Sequence, residues 1–152
     1  MRYLPKMLSH KNRSKQVKII KLTRKLYKNG IYYKRPLLNT FKTKPSKHVI
    51  KAKRIYNVIK VGPTKELAKK TGCSIKGLNQ IIKKGEGAYY SSGSRPNQTA
   101  QSWAIARLAG SITGGKSSMI DYDIINRECK HSKKAFKLAN KNQRRSTRHI
   151  II

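Results

Sequence analysis

The stretch from Thr64 to Lys84 has a residue pattern typical of a helix-turn-helix, the DNA-binding motif whose second helix enters the major groove. A small residue, Ala68, would let the two helices approach closely, and Gly72 suits the positive φ of the turn. Leu78 and Ile81 would pack the second helix back on the first. The outward side chains, which could bond phosphates or base edges, would be Ser74, Lys76, Asn79, Gln80 and Lys83. The alternative is a plain helical hairpin with a glycine turn.

A second pattern, Gly110–Ser117, matches the phosphate-binding consensus G-x-x-x-x-G-K-[ST]. That loop requires a buried strand before it, whereas the preceding segment Trp103–Ala109 is predicted to be helical. We therefore expect no hydrolysis of ATP or GTP. What remains is a glycine-rich turn before a helix, in which Lys116 could contact a phosphate of any polyanion.

The stretch Gly85–Asn97 is rich in Gly, Ser and Tyr and is predicted to be a loop. Its adjacent tyrosines, Tyr89 and Tyr90, could stack on bases or face a protein partner, and Arg95 could contact a phosphate or a carboxylate. The alternative is that both tyrosines pack beneath Trp103. The low charge of this stretch favours that alternative.

No arrangement of metal ligands or catalytic groups is evident. Cys129 and His131 form a single C-x-H pair, while Cys73 is predicted to be a small core residue of the turn. A structural zinc site needs four ligands, usually in two close pairs, and the five acidic residues leave little choice for a catalytic carboxylate pair. We expect no metal, no cofactor, no small-molecule substrate and no enzymatic activity. Two cysteines cannot build a disulfide scaffold, which favours a reducing compartment.

The charge of the chain is strongly one-sided. Its 152 residues include 37 Lys and Arg against 5 Asp and Glu, which gives a formal net charge of +32. Residues 1–65 carry 20 of the basic residues and no acidic one, and residues 130–152 carry 8 and again no acidic one. Such a chain is expected to bind a polyanion, which could be nucleic acid, an acidic membrane face or an acidic protein surface. Beyond the helix-turn-helix, candidate nucleic-acid contacts in these basic regions are Lys18, Lys21, Arg24, Arg144 and Arg145.

The apolar periodicity predicts a mainly α fold, a small helical domain with a helix-turn-helix-like pair and long ordered loops, flanked by basic arms. Composition divides the chain into a basic helical N-terminal arm (1–60), a compact central helical domain (61–129) and a basic C-terminal tail (130–152). Apart from a weakly helical tail, the predicted helices run from an N-cap at Ser14 to Lys28, from Ser46 to Asn57, as a pair over Thr64–Lys84, from Thr99 to Ala109, and from Ser118 to Cys129. No apolar run is long enough to cross a membrane, so membrane insertion is not expected.

The run Gly85–Lys116, followed by Asp121 and Tyr122, resembles an uncharacterised family of small basic proteins, a domain of unknown function, of large eukaryotic DNA viruses and some marine phages. The segments Arg24–Tyr33 and Lys47–Val49 also resemble that family, and the resemblance covers roughly residues 15–129. It implies a viral setting and assigns no activity or catalytic residue. The location it implies is the virion, with the host cytoplasm or nucleus during assembly.

Two functions follow as hypotheses. The first is a non-enzymatic virion structural protein, a minor capsid or capsid-interior component whose cationic arms bind acidic surfaces of other capsid or virion proteins, or genome phosphates. The second is a helix-turn-helix nucleic-acid-binding protein, either a regulator or a genome condenser. An enzyme acting at Tyr89–Thr99 is the least supported reading, because no base or metal site is apparent near it.

Overall fold

Eight helices are present in the computed structural model, which describes the backbone of residues 3–150 and the side chains of residues 3–146. They are α1 (His10–Lys28), α2 (Lys47–Tyr56), α3 (Lys65–Thr71), α4 (Ile75–Ser91), α5 (Ala100–Ile112), α6 (Ser117–Ile120), α7 (Tyr122–Glu128) and α8 (Lys134–Ile150). Within the described residues the only β pairing is an isolated bridge. The predicted mainly α fold is confirmed. Over the same residues, no helix combines the length and the apolar character that a membrane crossing requires.

Side-chain caps fix where most of these helices begin. The predicted N-cap of α1 at Ser14 is wrong, because Ser9 accepts a hydrogen bond from the Asn12 amide and the helix starts one turn earlier. The apolar pattern begins only after that polar first turn, which is why it placed the start too late. Three other predicted helix starts are confirmed, and each begins with a side chain that accepts a hydrogen bond from an amide three residues later: Ser46, Thr64 and Thr99.

The predicted loop after Gly85 is largely wrong, because α4 continues to Ser91. Tyr89 explains the continuation: its side chain is buried, and burial of a large aromatic group offsets the helix penalty of the two nearby glycines. Three further predictions need correction. The α5 helix runs on to Ile112, Ser118 donates to the Gly115 carbonyl instead of capping a long helix, and the weakly helical tail is a full helix.

The chain forms two compact units, and each combines segments that are distant in sequence. Unit 1 consists of the residues up to Lys44 together with Gly85–Trp103, and unit 2 consists of Pro45–Lys84 together with the residues from Ala104 onward. Both α4 and α5 contribute residues to each unit. These bounds differ from the division by charge, which follows composition only.

The apolar core of the chain lies in unit 2. Its fully buried side chains come from α2, α3, α4, α5, α7 and α8, and the large ones include Leu67, Leu78, Ile81, Leu108 and Ile125. In the same unit, Arg107 makes a two-point ion pair with the buried carboxylate of Asp121, at 3.0 and 2.7 Å. The Ser111 hydroxyl donates to the same carboxylate at 2.7 Å. The Asp121 charge is therefore fully partnered inside the protein.

The two cysteines, which the sequence analysis took as a sign of a reducing compartment, are oxidised in the structure. Cys73 and Cys129, 56 residues apart in sequence, are joined in a disulfide. Beside it, the Ser74 amide donates to the Glu128 carbonyl at 2.8 Å, so the backbones of the two segments are paired as well. Cys73 is therefore more than a small residue in the turn, because it links the turn after α3 to the end of α7.

Candidate nucleic-acid interface

The outward side of α1 is covered by lysines. The opposite side is buried in unit 1 through Gln16, Ile20 and Thr23. We call the exposed set the lysine face, and it consists of Lys11, Lys15, Lys18, Lys21, Lys25 and Lys28. At 3.6 residues per turn these positions share a sector of about 140° of the helix circumference. No acidic residue occurs before Glu66 in the sequence, so no side chain within α1 neutralises this surface.

Of the three residues of α1 that the sequence predicts as nucleic-acid contacts, two are exposed on this face and one is not. Lys18 and Lys21 lie on the lysine face, as a nucleic-acid contact requires. Arg24 does not, because its guanidinium is half-buried and donates to the Ser92 carbonyl, with the Nε atom at 2.8 Å. Arg24 therefore anchors the segment that follows α4. The sequence analysis did not name the other four lysines of this face, which are Lys11, Lys15, Lys25 and Lys28. Their spacing of three and four residues along the lysine face could have identified them.

A second cationic surface lies on α8, in unit 2. The helix buries Ala135 and Ala139 completely on one side. On the other side, five exposed basic residues form what we call the α8 face: Lys134, Lys137, Lys141, Arg144 and Arg145. Four of them, with Asn140, border a shallow groove of about 400 Å³. The two predicted arginines therefore belong to a larger basic surface.

The helix-turn-helix-like pair is present as predicted. Gly72 ends α3 in the left-handed conformation, with φ of 80°, and Leu78 and Ile81 of α4 are buried. Of the side chains predicted to face DNA, three are exposed on α4: Lys76, Asn79 and Lys83.

The other two predicted contacts are engaged within unit 2. The Ser74 hydroxyl accepts from the Gly77 amide and donates to Glu128, while Gln80 accepts from the Arg127 guanidinium at 3.0 Å. The hydrogen bond from Ser74 lowers the pKa of Glu128 below its usual range. The end of α7 thus lies against the N-terminal part of α4, which is the part of a recognition helix that normally contacts base edges.

The tyrosine pair after Gly85 separates into one core residue and one half-buried residue. Tyr89 is only 1% exposed, and the Arg35 guanidinium lies over its ring with Cζ 3.6 Å from the centroid. Arg35 also donates to the Tyr89 carbonyl at 2.9 Å and to the Ser94 hydroxyl at 2.8 Å. Burial of this guanidinium lowers the pKa of Arg35. The alternative that Tyr89 packs inside the protein therefore describes it better than stacking on bases does. Its packing partner, however, is Arg35, which the sequence analysis did not identify. Trp103 contacts Tyr3.

Tyr90 belongs to a cluster of four tyrosines in unit 1, since its ring also meets that of Tyr89 edge to face at 5.0 Å. Its ring lies parallel to that of Tyr27, with centroids 6.0 Å apart, and meets the edge of Tyr32 at 5.1 Å. Burial is the largest factor that raises the pKa of Tyr90. Tyr32 is 68% exposed, and Arg95 is exposed further along the chain. The cluster leaves Tyr32 accessible, whereas Tyr90 mainly packs against its neighbours.

The segment that matches the phosphate-loop consensus forms the end of α5 and the turn that follows it in unit 2. Its first residues, Gly110–Ile112, are the last turn of α5, so a helix stands where the consensus requires a strand. The chain then turns at Gly114, which has φ of 74°, and the Gly115 amide donates back to the Gly110 carbonyl at 2.8 Å. Lys116 is exposed after this turn, next to a helix of only four residues.

Comparison with known proteins adds one finding. No curated protein and no solved structure matches the chain. A family model described as a family of unknown function, DUF5824, matches residues 1–128. This match covers most of the chain and confirms the resemblance to an uncharacterised family. The chain therefore belongs to DUF5824, a family of unknown function.

Proposed function

We propose that this protein is a non-enzymatic virion structural protein, a minor capsid or capsid-interior component whose cationic helix faces hold nucleic-acid phosphates. The lysine face of α1 carries this proposal. Its six exposed ammonium groups follow one side of a helix whose other side is fixed in unit 1. The α8 face would act in the same way in unit 2.

The chemistry of these faces favours phosphate binding without base recognition. Lysine is a strongly hydrated point charge on a flexible stem, so it pairs with phosphates without imposing a planar geometry. Its binding to duplex nucleic acid is driven by release of condensed counterions, which does not depend on base sequence. Genome packaging requires this kind of contact, whereas a regulator must discriminate between sequences.

The viral setting rests on the resemblance of Gly85–Lys116 and the upstream segments to proteins of large DNA viruses and marine phages. Membership of a family of unknown function adds no activity to this setting. The absence of acidic residues before Glu66 is compatible with a location beside a packaged genome, where cations offset the repulsion between phosphates.

Fractionation of purified virus particles tests the proposal. We expect quantitative mass spectrometry to find the protein at a fixed ratio to the major capsid protein in intact particles. In opened particles, nuclease digestion should release the fraction of the protein that is bound to the genome. High salt should release the same fraction, because salt screens contacts with phosphates. Absence of the protein from intact particles would contradict the proposal.

A second candidate function is a helix-turn-helix regulator, favoured by the exposure of Lys76, Asn79 and Lys83 on α4. Selection of bound oligonucleotides from a random pool tests it. A regulator should enrich one sequence, and the Asn79→Ala variant should bind that sequence about 1–3 kcal/mol more weakly while its affinity for random DNA is unchanged. Failure to enrich any sequence would exclude this candidate and leave the proposal above intact.

A further inference from the structure

A groove of about 800 Å³, lined by both apolar and polar side chains, lies in unit 1 beside the lysine face of α1. It is formed by the segment before α1, the first half of α1 and the segment at residues 36–41, which turns at Asn39 and Thr40. The apolar side chains that line it include Met7, Leu8, Ile19, Leu37, Leu38 and Phe41. These apolar side chains offer nothing to a phosphate backbone, so the lysine-face proposal does not account for them.

Two of these side chains are unusually accessible. Met7 is 89% exposed and Leu37 is 68% exposed, although Leu8 and Leu38 beside them are buried. Scattered exposed apolar residues are common, but a group that borders one groove is typical of a contact surface. Methionine at such a surface adapts its flexible side chain to the shape of a partner.

The rim of the groove determines which partner fits. Lys11 and Lys15 line it, and both also belong to the lysine face. The segments that form the groove contain no acidic residue. A partner that covers the apolar side chains must therefore approach two ammonium groups, and carboxylates would match them.

We propose that this groove binds a short segment of a partner protein in which apolar side chains alternate with Asp or Glu. The apolar side chains would contact Leu37 and Met7, and the carboxylates would pair with Lys11 and Lys15. This inference does not depend on nucleic-acid binding. It adds a site for a protein partner to the phosphate-binding faces.

A designed peptide tests the inference on the full chain. The probe is a fluorescein-labelled peptide of twelve residues in which Leu alternates with Asp and Glu, and binding is followed by fluorescence anisotropy. We expect Leu37→Gln to weaken binding about tenfold, because it removes one apolar contact. The matched control is Ile59→Gln, which alters a 92% exposed side chain in unit 2 and should leave the affinity unchanged. Both changes leave the charge of the protein the same.

Two outcomes would overturn the inference. One is that the Leu37→Gln and Ile59→Gln variants bind the peptide with equal affinity, or that the natural chain binds a peptide in which Ser replaces every Leu as tightly as the original peptide. The other is binding to phosphatidylserine vesicles that Leu37→Gln abolishes while the peptide does not bind, which would assign the groove to a membrane surface. Oligonucleotide affinity of Leu37→Gln should equal that of the natural chain, so failure here is distinguishable from failure of the lysine-face proposal.

Discussion

The Ser74 hydroxyl donates a hydrogen bond of 2.6 Å to the Glu128 carboxylate while it accepts one of 3.0 Å from the Gly77 amide. This pair connects the start of α4 to the end of α7, next to the disulfide between Cys73 and Cys129. The start of α4 is where a helix-turn-helix would meet DNA. The contact therefore stabilises unit 2 at the position where a sequence-reading protein would need free side chains.

The Ser74–Glu128 hydrogen bond predicts a pH dependence of stability. Because the pKa of Glu128 is lowered in the folded state, its contribution is present above the pKa of the unfolded chain and is lost as pH falls through the folded value. In urea titrations, the stability advantage of the natural chain over Glu128→Gln should shrink as the solution becomes acidic. NMR titration of Ser74→Ala should show a higher pKa for Glu128. An unchanged pKa in that variant would contradict the account.

Two glycines of α4 should respond to alanine in opposite directions. A Cβ atom at Gly77 would lie 2.5 Å from the Glu128 Cβ atom, so Gly77→Ala should lower the free energy of unfolding by about 1–3 kcal/mol. At Gly87 the nearest atom is the Tyr27 hydroxyl at 4.0 Å. Gly87→Ala should therefore raise the free energy of unfolding by about 0.5–1 kcal/mol, since alanine favours the helix. Denaturant unfolding of the two variants measures both effects, and a stabilised Gly77→Ala protein would show that α7 does not pack there.

The disulfide between Cys73 and Cys129 should stabilise unit 2 by restricting the unfolded chain. It joins residues separated by 56 positions, for which a loss of about 2–4 kcal/mol on removal is typical. Thermal unfolding with and without dithiothreitol measures this on the natural chain. The control is the double variant Cys73→Ser with Cys129→Ser, whose unfolding should not respond to the reductant. Identical unfolding of the natural chain in both conditions would contradict a stabilising disulfide.

The buried ion pair of Arg107 and Asp121 should matter far more than an exposed one. Arg107→Ala leaves the Asp121 carboxylate buried and unpaired by charge, which should cost about 3–5 kcal/mol. Arg127 pairs with Glu128 at the surface at 3.4 Å, so Arg127→Ala should cost less than about 1 kcal/mol. Denaturant unfolding compares the two. Equal losses would mean that the Asp121 pair is hydrated.

Local features of the fold were predictable because their causes lie within a few residues. The caps at Ser46, Thr64 and Thr99 and the turn at Gly72 follow from the hydrogen bonding and backbone freedom of those residues. The buried positions of Leu78 and Ile81 follow from helical spacing. Such signals require no knowledge of distant segments.

Features set by distant segments were not predictable. Gly85 and Gly87 looked like loop residues, and only packing of Tyr89 against Arg35, 54 positions away, explains the continued helix. The disulfide depends on the approach of two segments that no spacing rule connects. In the candidate site, the charge of Lys18 and Lys21 was enough to identify them. Arg24 is not available for nucleic acid because it donates to the Ser92 carbonyl, a contact that depends on the fold of unit 1.

The most direct test of the central claim is the salt dependence of binding to a duplex oligonucleotide. The slope of log affinity against log salt concentration counts the phosphates that the protein neutralises. Lys18→Gln with Lys21→Gln should reduce the magnitude of that slope by about 0.9 for each lysine. The matched control, Lys51→Gln with Lys53→Gln, removes two exposed charges from α2 in unit 2 and should leave the slope nearly unchanged. Equal slopes for the two double variants would contradict phosphate binding by the lysine face.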